Sequence, residues 1–249
     1  MSLRWGRDLC TLTVLVLFVC LLPRGAVAQD LVESLFDQQS LSTRSIQLIA
    51  LITVLSLAPG IAIMVTCFPF IVTVLSILRQ ALGLQQSPPN MQIVSLALFL
   101  TYYIMDPVFS AAWENGIRPL VEETISLEDA FNRTMEPFRS FMAARLDPDT
   151  FYSMAALRPD TAEITPNAEA PLSLLVPSFM LSEIARAFQI GFLIFLPFLV
   201  IDLVVAAVLM SMGMMMVPPA IVSLPFKLAF FVVADGWSLI ATALARSYF

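Results

Sequence analysis

Residues 196–219 read LPFLVIDLVVAAVLMSMGMMMVPP, an apolar segment that ends in two prolines. Proline lacks a backbone N–H and fixes φ, so a Pro-Pro pair ends one helix where another can begin. Pro218-Pro219 therefore predicts the turn of a helical hairpin. Apolar residues continue on both sides of this turn, and we assign residues 172–249 to one hydrophobic hairpin.

A second hydrophobic hairpin is predicted earlier in the chain, within residues 29–113. Its apolar stretches, 46–82 and 91–113, are separated by a turn that contains Pro88-Pro89. The first stretch is longer than the roughly 20 residues of a plain membrane span. The sequence therefore predicts an all-α chain of two hydrophobic hairpins.

Prolines inside the apolar stretches predict that these helices are broken or kinked: Pro59, Pro69, Pro177 and Pro197. A kink frees backbone polar groups, which lipid cannot satisfy but neighbouring protein can. The proline positions favour helices that pack in an assembly over a bundle that faces lipid.

The two hairpins flank a polar insert, residues 114–171, which carries eleven acidic side chains and five arginines. We expect this insert outside the cytoplasm, because the N-terminal segment has the pattern of a secretory signal peptide. Arg4 and Arg7 precede a short apolar run that is followed by Ala26-Val27-Ala28. Residues 1–28 are interpreted as this signal, with cleavage after Ala28; an uncleaved anchor is the alternative.

The composition excludes several classes of protein. The 249 residues are 59% hydrophobic and 13% charged, with a mean hydropathy of +0.86, which is typical of membrane proteins. Histidine is absent and the three cysteines are scattered, so neither a metal site nor a cofactor is expected. The net charge of −6 argues against nucleic acid as a partner.

Ionisable side chains within the apolar segments are candidate functional residues, because an unpaired charge is costly there. The candidates are Asp106, Glu183, Arg186, Asp202, Lys227 and Asp235. Glu183 and Arg186 stand three residues apart and can meet on one helical face. Asp202 and Lys227 lie at similar distances from the Pro-Pro turn, which predicts a buried ion pair; a proton relay through Asp202 is the alternative.

Five methionines fall within residues 210–216, next to the turn. Methionine is unbranched and flexible, so it fills irregular gaps without fixing one geometry. The cluster is compatible with ordinary core packing or with a deformable seal around an opening.

Several strings in the second hairpin resemble the FliP family of flagellar export proteins. They are AFQIGF (187–192), LPFLVID (196–202), GMMMVPP (213–219), LPFK (224–227) and DGW (235–237), and the insert adds PFRSFM (137–142). Ala143-Ala144-Arg145 departs from the polar, Gln-Thr-containing stretch that the family usually has there.

The resemblance implies a helical subunit of an export gate that passes unfolded flagellar proteins across the bacterial inner membrane. Its implied partners are further copies of itself, as a pentamer in the family, with FliQ-like, FliR-like and FlhB-like subunits. It also implies that Met214, Met215 and Met216 match the family's methionine gasket, which lines the closed pore.

Two other functions fit parts of the pattern. A membrane hydrolase without histidine would need an aspartate pair such as Asp202 with Asp235. A secondary transporter would use broken helices at a midplane site, but the chain has few spans and no evident inverted repeat. The export function predicts a large hetero-oligomer in mild detergent, and the other two predict a monomer or dimer.

Overall fold

The computed structural model describes residues 41–84, 88–214 and 216–249, and within these ranges it is helical without any strand. The prediction of an all-α fold is thereby confirmed. The predicted signal peptide of residues 1–28, its cleavage site at Ala28, and Met215 lie outside the described residues.

The described part of the chain contains nine α-helices. In order they are α1 (Leu41–Met64), α2 (Phe68–Ala81), α3 (Asn90–Ala112), α4 (Arg118–Val121), α5 (Leu127–Arg145), α6 (Pro148–Ala155), α7 (Leu172–Ser211), α8 (Pro219–Val233) and α9 (Gly236–Arg246). A π-helical turn, Trp113–Ile117, joins α3 to α4. The described residues 41–58 belong to one unit, and residues from 59 onward belong to a second. In the first unit, the side chains of residues 45–57 are exposed.

The prolines act differently from one another. Pro69 lies in the first turn of α2, where a backbone N–H has no helical partner to lose, and residues 65–67 separate α1 from α2. The break expected at Pro59-Gly60 is wrong, because α1 continues through both residues. Pro177 and Pro197 likewise lie inside a continuous α7. One proline removes a single hydrogen bond, and the neighbouring turns keep the helix together.

The main core of the larger unit forms where α2 packs along α7 and α3. The buried face of α2 repeats every three to four residues, as in Phe70, Val74, Leu78 and Ala81, which is the spacing of one helical face. At Gly191 the two helices are so close that an added Cβ would lie 2.4 Å from Cδ1 of Ile77. Any larger residue at position 191 would therefore force the Ile77 side chain to shift.

The polar insert folds as helices α4 to α6, and α5 and α6 pack against the first half of α7. Met142, Phe151, Leu175 and Phe179 form the apolar centre of this contact. The loop before α7 is held by Arg139, whose Nη1 donates to the carbonyl of Ala170 at 2.9 Å. The insert is thus part of the folded unit.

Among the described residues, three helical segments are long and apolar enough to cross a membrane: Ser45–Met64, Asn90–Val121 and Leu172–Ser211. The bent pair α8 and α9, which meet at 61°, would be a fourth. The 40 residues of α7 correspond to about 60 Å of helix, twice the roughly 30 Å of a bilayer's hydrocarbon core. A bilayer therefore covers at most about half of α7.

Candidate functional site: buried charges and the methionine turn

Asp202 of α7 and Lys227 of α8 meet in the structure. Nζ of Lys227 lies 2.7 Å from Oδ2 of Asp202, and it also donates to the carbonyl of Ala81 at 3.1 Å. The hydroxyl of Ser223 donates to Oδ1 of Asp202 at 2.5 Å. Lys227 therefore connects the second hairpin to the end of α2, a link that the sequence does not reveal.

The two members of this pair differ in burial. The side chain of Lys227 is 7% exposed and that of Asp202 is 33% exposed. Asp202 contacts a cation and a hydroxyl, and no second acid is among its partners in the described ranges. This arrangement is typical of structural pairing and does not favour a proton relay.

We expect unequal effects when one partner of this pair is removed. Asp202→Ala leaves an ammonium group buried, which costs about 3–5 kcal/mol in other proteins. Lys227→Met should be milder, because Asp202 is partly hydrated. The double variant Asp202→Asn/Lys227→Met should recover assembly in part. Yields of assembled complex in mild detergent measure this, and a double variant as impaired as the sum of the singles would contradict the pairing.

Glu183 forms a second, more deeply buried cluster. Its side chain is completely buried, and Oε1 lies 3.1 Å from Nε of Arg145 and 3.5 Å from Nη1 of Arg186. Oε2 accepts a hydrogen bond from the hydroxyl of Tyr248. The predicted Glu183–Arg186 contact is present, but it is the longer of the two ion pairs, and Arg186 is 35% exposed.

Arg145 joins three parts of the chain at this cluster. It lies in the last turn of α5, donates to the carbonyl of Ser247 at 2.8 Å, and places its guanidinium carbon 4.0 Å from the centre of the Tyr248 ring. Burial and the negative charge of Glu183 raise the pKa of Tyr248. The tyrosine therefore stays protonated and remains a donor. The cluster fixes the insert and the C-terminal residues to α7.

Sequence reasoning missed Arg145 and Tyr248. Arg145 was named only as part of a departure from the family pattern; it lies in the polar insert, where a charge is not costly, and it is 38 residues from Glu183. Tyr248 follows the last apolar helix. Glu183 itself indicated that further partners exist. A carboxylate buried in an apolar helix needs several cationic or donor groups around it, and Arg186, which is 35% exposed, supplies only part of them.

Two of the candidate ionisable residues lie at the surface of the single chain. Asp106 and Asp235 are both exposed. Asp235 has a left-handed backbone, with φ of 48°, and occupies the N-cap position of α9 without a side-chain capping bond. It lies where α8 and α9 meet at 61°. Asp235 is therefore exposed in the single chain, and its burial in an assembly stays a prediction.

The turn between α7 and α8, which carries the methionine cluster, contains a glycine just after the end of α7. α7 ends at Ser211, and Gly213 has a φ of +75°, a conformation that glycine adopts at little cost. The N–H groups of Gly213 and Met214 donate to the carbonyls of Met210 and Leu209 at 3.0 Å, as at many glycine-terminated helices. Pro219 then begins α8.

The methionines that the structure describes project from this turn. Met210, Met212 and Met216 are 61%, 66% and 97% exposed, and Met214 is 41% exposed. Met214 and Met212 line an apolar cleft of about 570 Å³ between α7 and α8. The turn thus presents a flexible apolar tip without a charged side chain.

The described residues hold no group of three or more Cys, Asp and Glu side chains arranged to bind a metal ion. Cys67 is a buried, free thiol, and burial raises its pKa to about 12. A thiol of that pKa is unreactive at neutral pH.

Comparison with known proteins agrees with this arrangement. The sequence profile of the FliP family matches residues 51–244. The flagellar biosynthetic protein FliP of Caulobacter vibrioides is 49% identical over 248 residues, covering 97% of this chain and 91% of that protein. The Agrobacterium fabrum protein of the same name is 47% identical, with 97% and 99% covered, and that of Bacillus subtilis is 46% identical, with 85% and 95% covered. The chain belongs to the FliP family.

Proposed function

We propose that the chain is a channel-forming component of the flagellar type III protein export gate and is needed for flagellum assembly. In this role it passes unfolded flagellar proteins across the inner membrane. The proposal is supported by relatives from three bacteria whose name is flagellar biosynthetic protein FliP. It is supported independently by the dimensions and surface of α7.

The observation that carries the proposal is the exposed apolar surface of α7. Apolar side chains are exposed between positions 181 and 210 in the single chain, including Phe188 at 60%, Leu203 at 62% and Met210 at 61%. These 30 residues correspond to about 45 Å of helix, more than the roughly 30 Å of hydrocarbon that α7 would cross along the bilayer normal. The apolar surface beyond the hydrocarbon marks a contact with protein partners, as in an assembly around a channel.

The partners that we propose are further copies of this chain, in a pentamer, with FliQ-like, FliR-like and FlhB-like subunits. The assembly would stand in the bacterial inner membrane within the flagellar basal body, and the insert would be periplasmic. Met214, Met215 and Met216 would line the pore. The proposed role needs no cofactor, no nucleic acid and no catalysis.

The alternative of a membrane hydrolase is disfavoured by the geometry. Asp202 is bound to Lys227 and Ser223, and it is not paired with Asp235. Lys227 and Asp235 are eight residues apart in sequence, and Asp235 lies beyond the end of α8 at Val233. A pair of aspartates that share a proton, as this chemistry requires, is not formed by these residues.

Purification in mild detergent tests the proposal. A tagged chain, expressed in a flagellated host that lacks its own copy, is expected to restore motility and to purify as a large hetero-oligomer with several copies of the chain. The number of copies follows from cross-linking and mass measurement. A stable monomer or dimer from a motile strain would contradict the export function and point to an enzyme or a carrier.

A further inference from the structure

A second cleft, of about 770 Å³, opens beside α2 and is lined by residues of α2, α7 and α8. Its lining has an apolar part and a polar end. Val72, Ile77 and Phe188 are apolar, and the hydroxyls of Thr73 and Ser76 beside them donate to carbonyls of α2 itself. Arg79, Gln80 and Lys227 form the polar end. No acidic side chain is among the lining residues that the structure describes.

The polar end offers a cation that is not neutralised. The charge of Lys227 is balanced by Asp202 at 2.7 Å. Arg79, in contrast, forms no ion pair with any described residue, and its hydrogen bonds to Pro88 and Asn90 both leave from Nη1. The Nε and Nη2 groups are therefore available to a ligand.

We propose that this cleft binds an anionic phospholipid, with its phosphate at Arg79 and an acyl chain along Val72 and Phe188. A guanidinium group is planar and presents its donors as a fork that matches two phosphate oxygens. Val72 and Arg79 are seven residues apart on α2, about 10 Å along the helix. The apolar wall is thus adjacent to the cation on the same helix.

The amphipathic lining selects a lipid over other anionic ligands. An acidic peptide would bring a polar backbone against the apolar walls, where its N–H and C=O groups would lack partners. A free phosphate would use Arg79 but would leave the walls empty. A phospholipid satisfies both the apolar and the polar part of the cleft.

The test uses the full chain, purified in mild detergent after reconstitution in vesicles of phosphatidylcholine with one fifth phosphatidylglycerol. Native mass spectrometry counts the retained lipids. We expect phosphatidylglycerol to be enriched over its share in the vesicles. Arg79→Gln should lower this enrichment about five-fold, the contribution of one basic side chain at an anionic lipid surface.

Two further variants separate binding from folding. Gln80→Glu leaves Arg79 and its contacts in place but adds a negative charge at the polar end, so it should reduce the enrichment as well. Arg246→Gln is the matched control, because Arg246 is also in the last turn of an apolar helix but is not among the residues that line this cleft. Its enrichment should equal that of the unmodified chain.

The outcomes are distinguishable from those of the export proposal. Displacement of the lipid by about 10 mM inorganic phosphate, with no dependence on the acyl chain, would assign the site to a free anion and overturn the lipid assignment. Equal loss in the Arg79 and Arg246 variants would overturn it too. A change of oligomeric state in Gln80→Glu without any retained lipid would show that a second copy covers the cleft.

Discussion

Cells that carry the chain with Met214, Met215 and Met216 all changed to alanine are expected to leak ions although the complex still assembles. The turn presents exposed methionines beyond the end of α7. A closed gate must exclude ions and still open for an unfolded polypeptide. Methionine side chains suit both states, because they have rotatable bonds and no polar group to desolvate. A narrow ring of them also expels water.

The triple variant leaves the backbone of the turn unchanged. Gly213, which supplies the positive φ, and Pro218-Pro219, which begin the next helix, are retained. The exposed methionines contribute little to the fold of the single chain, so assembly should be normal. Conductance of membranes that contain the variant complex is the decisive measurement, and we expect it well above that of the unmodified complex.

Exposed methionines elsewhere provide the control. Met91 and Met64 are 81% and 47% exposed but lie far from the turn in sequence. Their double replacement by alanine should leave the membrane tight. Replacing the three turn methionines by isoleucine should keep the seal but slow export, because β-branched side chains rotate less freely. A triple-alanine complex that assembles and stays tight would place the gate elsewhere.

The helical content and the hairpin turns could be predicted from sequence because their signals are local. The turn at Pro218-Pro219 depends on the missing N–H groups of adjacent residues, and α8 begins there. Whether a single proline breaks an apolar helix was harder to predict. Pro177 and Pro197 lie within α7, because the cost of one lost hydrogen bond is small beside the contacts of the whole helix.

The partners of the buried charges could be predicted only where spacing restricts them. Asp202 and Lys227 lie on the two arms of one hairpin, so their depths can be counted from the turn. Arg145, Glu183 and Tyr248 come together through the fold of the insert and the position of the C-terminal residues. No periodicity links such distant residues, and a single sequence gives no other measure of their proximity.

The largest loss of stability is expected for Glu183→Ala. This change leaves Arg145 buried beside Arg186 and removes the acceptor of Tyr248. Removing one partner of a buried ion pair costs about 3–5 kcal/mol. Arg145→Met should cost less, because Arg186 still neutralises part of the carboxylate's charge. Tyr248→Phe should cost about 1–3 kcal/mol, the effect of leaving a buried acceptor without one of its donors.

A double variant distinguishes charge pairing from loss of packing. Glu183→Gln with Arg145→Met removes both charges and keeps similar volumes, so its loss should be smaller than the sum of the losses measured for Glu183→Gln alone and Arg145→Met alone. The exposed pair Arg118–Glu122, at 3.0 Å and with side chains 63% and 53% exposed, is the matched control. Its neutralisation should change stability by about 0–1 kcal/mol.

Denaturant titrations of the full chain in detergent measure all of these values. Additive losses at positions 145 and 183, or equal effects at the exposed pair, would show that the buried cluster acts through packing. The expected coupling instead identifies Glu183 as the charge that holds the insert and the C-terminal residues against α7.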